Sequence, residues 1–167
     1  MSTEILTKPE VEFTDHELDQ INVELEQMDP LEIIAWSRET FGNGLIGTTN
    51  MNSTSPIMLK FISEVDRSIQ LVTIRLGHES NKTKTLTTWY KGVFGLNLAI
   101  HGDSTPVAHG AEAVSARKVE LFQREVVDRY KPSAILMGGM HDGETEGREH
   151  TPIIRRQGSF FAIRPVL

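Results

Sequence analysis

Short apolar runs separated by helix-length stretches constrain this chain most. Leu45 to Thr49, Ile69 to Leu76, Leu96 to Ile100 and Ser133 to Gly139 are strand-sized, and the intervening segments are long enough for crossover helices. Alternation of this kind builds right-handed βαβ units and a mostly parallel sheet. The clearest unit is Leu45 to Val65: a buried strand, the loop Asn50-Met51-Asn52-Ser53-Thr54-Ser55, and an amphipathic helix. Pro56 suits the first helical turn, where its missing N–H has no intrahelical partner, and Ser55 suits the N-cap. Ile57, Met58, Phe61, Ile62 and Val65 recur at helical spacing as one apolar face. A strand running into a helix N-terminus aims several N–H groups, and the positive end of the helix dipole, at one spot suited to a phosphate. An ordinary strand-to-helix turn carries the same pattern.

Upstream, Phe13 to Leu18 starts a helix: Thr14 caps, Glu17 completes a capping box, and Phe13 staples onto Leu18. Leu18, Ile21, Leu25 and Met28 form its stripe. Asp29, Pro30 and Glu32 start a second helix carrying Leu31, Ile34, Ala35 and Arg38, which stops at Gly42-Asn43-Gly44. Downstream, the sequence predicts a helix over Ser80 to Phe94, a long loop from His101 to Ala116, and a helix from Ala116 to Tyr130 facing inward with Val119, Phe122, Val126 and Tyr130. Met140 to Thr151 reads as a polar loop, and Ile153 to Ile163 as a short hairpin or edge strand turning at Gln157-Gly158. The expected fold is a three-layer, Rossmann-like α/β domain: about five mostly parallel strands, helices on both faces, a helical hairpin beside them. Residues 1–12 read as a flexible acidic lead-in and 13–167 as a single domain. Ligands in such sheets bind beyond the carboxyl ends of the strands, which nominates Thr48 to Ser55, Arg75 to Ser80, His101 to Ser104 and Gly138 to Arg148.

Composition narrows the function. Residues 1–40 carry a net charge of −9 and residues 41–167 a net of +3, which does not suggest nucleic-acid binding. No apolar run approaches a membrane span, and Met1 to Glu12 has the pattern of no signal peptide, so a cytoplasmic protein is expected. There is no cysteine, which removes disulfides, thiolate metal sites and a cysteine nucleophile.

Four separate places, in order, resemble the phosphoadenylyl-sulfate (PAPS) and adenylyl-sulfate (APS) reductases of the adenine-nucleotide alpha-hydrolase-like superfamily. Leu45 to Leu59 resembles their strand, paired hydroxyl residues and modified phosphate loop. Gly95-Leu96-Asn97-Leu98 resembles a strand entry, Arg117-Lys118-Val119-Glu120 a helix opening with Arg124 matching a later arginine, and Gly139, Arg148, Pro152-Ile153 and Phe160 to Leu167 the closing stretch. The resemblance implies an oxidoreductase of sulfate assimilation, reducing a sulfonucleotide to sulfite with thioredoxin as electron donor. Departures are equally specific: Asn52 and Thr54 replace the loop glycine and glutamine, Arg75 an acid, His78 an aromatic, His141 and Asp142 the paired arginines, and Glu144 a glutamine. The family's reducing cysteine lies in a C-terminal tail; this chain ends at Leu167 and has no thiol to attack the sulfur.

The first expectation is therefore an adenine nucleotide- or sulfonucleotide-binding protein that is not a reductase by itself and needs no cofactor. Its candidate contacts are Thr48, Thr49, Ser53, Ser55, Arg75, Lys118, Gly139 and Arg148. Arg75 can equally pair with a carboxylate such as Asp142. The alternatives are a non-catalytic nucleotide- or partner-binding domain, and a metal-assisted hydrolase using the His141 to His150 loop, which holds two histidines and four acids. A homodimer is left open.

Overall fold

The computed structural model describes residues 10–51, 55–77, 79–102, 110–138 and 151–166. Two helices, α1 (Asp15–Leu25) and α2 (Pro30–Phe41), precede the sheet. Both open with the expected capping boxes: the Thr14 N–H donates to Glu17 Oε2 at 2.7 Å, and the Asp29 N–H to Glu32 Oε2 at 2.8 Å. Then follow β1 (Leu45–Thr48), α3 (Ser55–Val65), β2 (Gln70–Arg75), α4 (Asn81–Phe94), β3 (Leu98–Gly102), α5 (Ala111–Phe122), β4 (Ala134–Met137), β5 (Ile154–Gln157) and β6 (Phe160–Ile163). The sheet has six strands in the order β3-β2-β1-β4-β6-β5, parallel except for β5 against β6. The extra strand over the expected five is β5, because both arms of the closing hairpin join the sheet.

Strand parity splits the core into two layers. Leu45, Leu71, Leu98, Leu136, Phe161 and Ile163 join the cluster containing buried side chains of α1 to α4. Ile46, Val72, Ile135, Phe160 and Ala162 join the cluster containing Val126 and Val127, just after α5. Gly47 leaves room for its neighbour on β2: a Cβ there would stand 2.5 Å from Leu71 Cδ2. At the far edge Asn22 of α1 grips β5, donating to the Ile154 carbonyl (2.9 Å) and accepting from its N–H (3.0 Å), which shields an edge strand from further pairing.

Several expectations need correcting. In α2 the buried face is Ile33, Ile34, Ser37 and Phe41; Leu31 is half-buried and Ala35 exposed. In α3 Leu59 is buried and Ile57 is 44% exposed, because the core-facing stripe is Met58, Leu59 and Ile62. Ser55 is the first residue of α3 rather than its cap. α5 starts at Ala111, five residues early, where Ala111, Ala113 and Ala116 favour helix. It continues as a π-helix over Gln123–Asp128, so Leu121 and Val126, five apart, both point into the core. That wider turn rotates Val119 out to 69% exposure.

Candidate functional site

The strand order reverses between β1 and β4: β2 and β3 add on one side of β1, and α5 carries the chain across to β4 on the other. A reversal of this kind opens a crevice at the strand ends. A cavity of about 690 Å³ begins there, at Thr48, Thr49 and Asn50. Val72 and Ile74 of β2 contribute to its sheet side. Lys118, Val119 and Phe122 of α5, with Gln123 and Val127 from the π-helix, form the opposite wall, and the β5–β6 turn Gln157 to Phe160 closes one end. The Phe122 and Phe160 rings lie 6.2 Å apart at 55°. The walls are largely apolar, and hydroxyls, amides and one ammonium group supply the polar contacts.

The end of β1 is held by its own hydrogen bonds. The Thr49 N–H donates to the Val72 carbonyl at 3.1 Å, one step beyond the β1 strand. Thr49 Oγ1 donates to Ser55 Oγ at 3.0 Å and accepts from the Met51 N–H at 3.2 Å. Met51 sits at φ 53, an uncommon conformation for a non-glycine residue, with its side chain buried at 4% exposure in the α1–α4 core layer. Thr49 and Ser55 therefore hold the turn, while the Thr48 hydroxyl makes no hydrogen bond among the described residues.

Lys118 is exposed and in no ion pair among the described residues. The carboxylates next along the helix are taken: Glu120 by Arg117 (2.7 Å), and Glu125 by Arg124 (2.9 Å) and Arg129 (2.7 Å). The Arg124 hydrogen bond, aided by the charge of Arg129, holds the Glu125 carboxyl below its usual range despite burial.

Of the expected contacts, Thr48, Thr49 and Lys118 line one cavity, and Ser55 adjoins it through Thr49. Arg75 does not line it: parity sets it on the Leu71 face of β2, opposite Val72 and Ile74. Ser53, Gly139 and Arg148, with the His141 to His150 loop and the Arg75–Asp142 pairing, lie outside the described residues. Two nominated segments are occupied by local bonds. The N–H groups of Leu76 and Gly77 both donate to the Glu79 carboxylate, so these two donors are not open to an anion. His101 Nε2 lies 2.7 Å from the Tyr130 hydroxyl, whose pKa burial pushes up. Among the described residues no group of three or more His, Asp or Glu could hold a metal, and no helix is long and apolar enough to cross a membrane.

Sequence reasoning missed the apolar wall and the β5–β6 turn. Phe122 was readable as an inward-facing helix residue, but which void it bounds depends on the π turn. The Gln157-Gly158 turn was legible locally; its place in the cavity follows from β6 pairing with β4, which no local pattern reports.

No family model matches the chain. It is 24% identical over 165 residues to a phosphoadenosine 5′-phosphosulfate reductase of Synechococcus sp., spanning 90% of this chain and 71% of that protein. The PAPS reductase of Candida auris, solved as a phosphate complex, superposes with a TM-score of 0.73 at 20% identity, covering 95% of this chain and 82% of that one. The chain is a diverged relative of the PAPS reductases. The shared architecture reaches further: Candida glabrata FMN adenylyltransferase, solved with ATP, aligns at a TM-score of 0.53 and 15% identity over 95% of this chain and 54% of that one. This relative of the reductases has no cysteine in its sequence.

Proposed function

We propose that this PAPS reductase-like chain binds an adenine nucleotide or sulfonucleotide in the cavity between the end of β1 and α5, and does so without reducing it. The observation that carries the reading is that Thr48, Asn50 and Lys118 line one cavity at the reversal of strand order. The apolar slot bounded by Val72, Ile74, Phe122 and Phe160 suits a planar base. The Thr48 hydroxyl and the Lys118 ammonium, neither of them bonded among the described residues, suit phosphate oxygens. Reduction of a sulfonucleotide needs a thiolate to attack sulfur, and the chain carries no cysteine. Thioredoxin, the donor the resemblance implies, would have no S-sulfocysteine on this chain to resolve. The absence of thiols also suits a cytoplasmic setting.

Calorimetric titration with adenosine 5′-phosphosulfate, PAPS and ATP tests the reading. Saturable heat is expected with at least one of them, and no sulfite in their presence with reduced thioredoxin. Absence of heat with all three overturns nucleotide binding; sulfite release overturns the non-reducing assignment.

A further inference from the structure

Gln123 and Asp128 are the first and last residues of the π turn, and the Gln123 amide donates to Asp128 Oδ1 at 2.8 Å. That bond belongs to the wide geometry. In an α-helix residues five apart stand about 140° apart around the axis, too far round for these two side chains to face each other. Leu121 and Val126, also five apart, are both fully buried, so side chains on the inner face report the same wide turn. The ion pairs of Glu125 with Arg124 and Arg129, one and four residues away, suit either geometry and do not select it. π turns are rare against the α-helix, so a contact that exists only in the wide form favours it. Gln123 also lines the cavity; Asp128 does not.

We propose that Asp128 is a positioning residue: by accepting from Gln123 it holds the helix register that sets Lys118 in the cavity wall, a role that rests on the cavity being the nucleotide site. The turn decides what α5 presents there. Val126 and Val127 belong to the core layer of Ile46, Val72 and Ile135, which fixes the chain after the turn. An α-helical path through the same residues would rotate everything before it by about 100°, one residue's worth. Phe122 would stand where Leu121 is, and Val119 where Lys118 is. Lys118 would move to the place of Arg117, which is not in the cavity wall. The ammonium would leave the site and a valine would replace it.

Two variants of the full chain test this. Asp128→Ala removes the acceptor at an exposed position outside the cavity, and Asp128→Asn keeps a side-chain carbonyl in the same place. The first readout needs no nucleotide. Nuclear Overhauser contacts between backbone protons five residues apart across Gln123 to Asp128 should be present in the parent and in Asp128→Asn. In Asp128→Ala they should give way to contacts four apart. The second readout is titration with adenosine 5′-phosphosulfate. Asp128→Ala should weaken it roughly threefold or more, the worth of about one net hydrogen bond, and Asp128→Asn should match the parent. In a Lys118→Ala background Asp128→Ala should have no further effect, because it acts through Lys118. Five-apart contacts that survive in Asp128→Ala, or an equal loss of affinity with Lys118 already removed, would overturn the proposal. A parent that takes up no nucleotide would overturn the nucleotide reading instead, and the backbone contacts would then decide by themselves whether Asp128 holds the register.

Discussion

Thr49 Oγ1 donates to Ser55 Oγ at 3.0 Å, tying the residue after β1 to the first residue of α3. The same oxygen accepts the Met51 N–H, so one hydroxyl fixes both sides of a turn whose middle includes a left-handed, buried methionine. Thr49→Val keeps the shape and removes both bonds. Both bonds are part-buried, and a net hydrogen bond contributes about 0.5–1.5 kcal/mol, so urea unfolding should show a loss of roughly 1–2 kcal/mol. A variant as stable as the parent would show that the turn does not depend on this hydroxyl.

Gly102 sits at φ +122, and a Cβ there would stand 2.0 Å from the Arg75 carbonyl oxygen, its register partner across β2 and β3. Backbone cannot give way as a side-chain tip can. Gly102→Ala should therefore lower stability by about 2 kcal/mol or more, through strain at a disallowed φ. Thermal melting measures it; an unchanged midpoint would contradict the close approach.

Asn22→Ala removes both side-chain bonds to Ile154 and leaves the β5 edge open. A loss of roughly 1–2 kcal/mol is expected for two net hydrogen bonds, together with faster amide exchange at Ile154. Unaltered exchange there would mean the edge is protected by something else.

Acid should destabilise the fold. Bonds from the Ser68 hydroxyl and N–H, with Arg38 nearby, hold Asp66 below the usual carboxylate range. The Thr14 N–H and hydroxyl do the same for Glu17. A carboxyl whose folded pKa is depressed stabilises the protein above its unfolded value, and that contribution is lost as pH falls through the folded one. The urea midpoint should thus decline as pH drops below about 4, where free carboxyls begin to protonate. Asp66→Asn should flatten part of that decline; an identical pH profile would contradict the assignment.

Much of this architecture was readable because its signals are local. Thr14 with Glu17 and Asp29 with Glu32 place helix starts through bonds three residues apart, and the structure contains both. The strands were legible from apolar runs, and short motifs nominated Thr48, Thr49 and Lys118, which line one cavity. What was not legible depends on distant packing. Leu31 and Ala35 fit a helical stripe as well as Ile33 and Phe41 do, and only the sheet decides which face is buried. Val119 looked inward until a π turn after Phe122 rotated it toward the cavity. Arg75 was nominated for standing at a strand end, which does not say on which face of the sheet it falls.

The cavity walled by the end of β1 and by α5 is the proposed seat of an adenine nucleotide. Amide chemical shifts recorded while adenosine 5′-phosphosulfate is added to the isotope-labelled chain test it most directly. The largest perturbations are expected on Thr48, Thr49, Asn50, Lys118, Val119 and Phe122, and Lys118→Ala should weaken the titration. Perturbations confined to residues remote from that cavity, or a spectrum unmoved by the nucleotide, would contradict it.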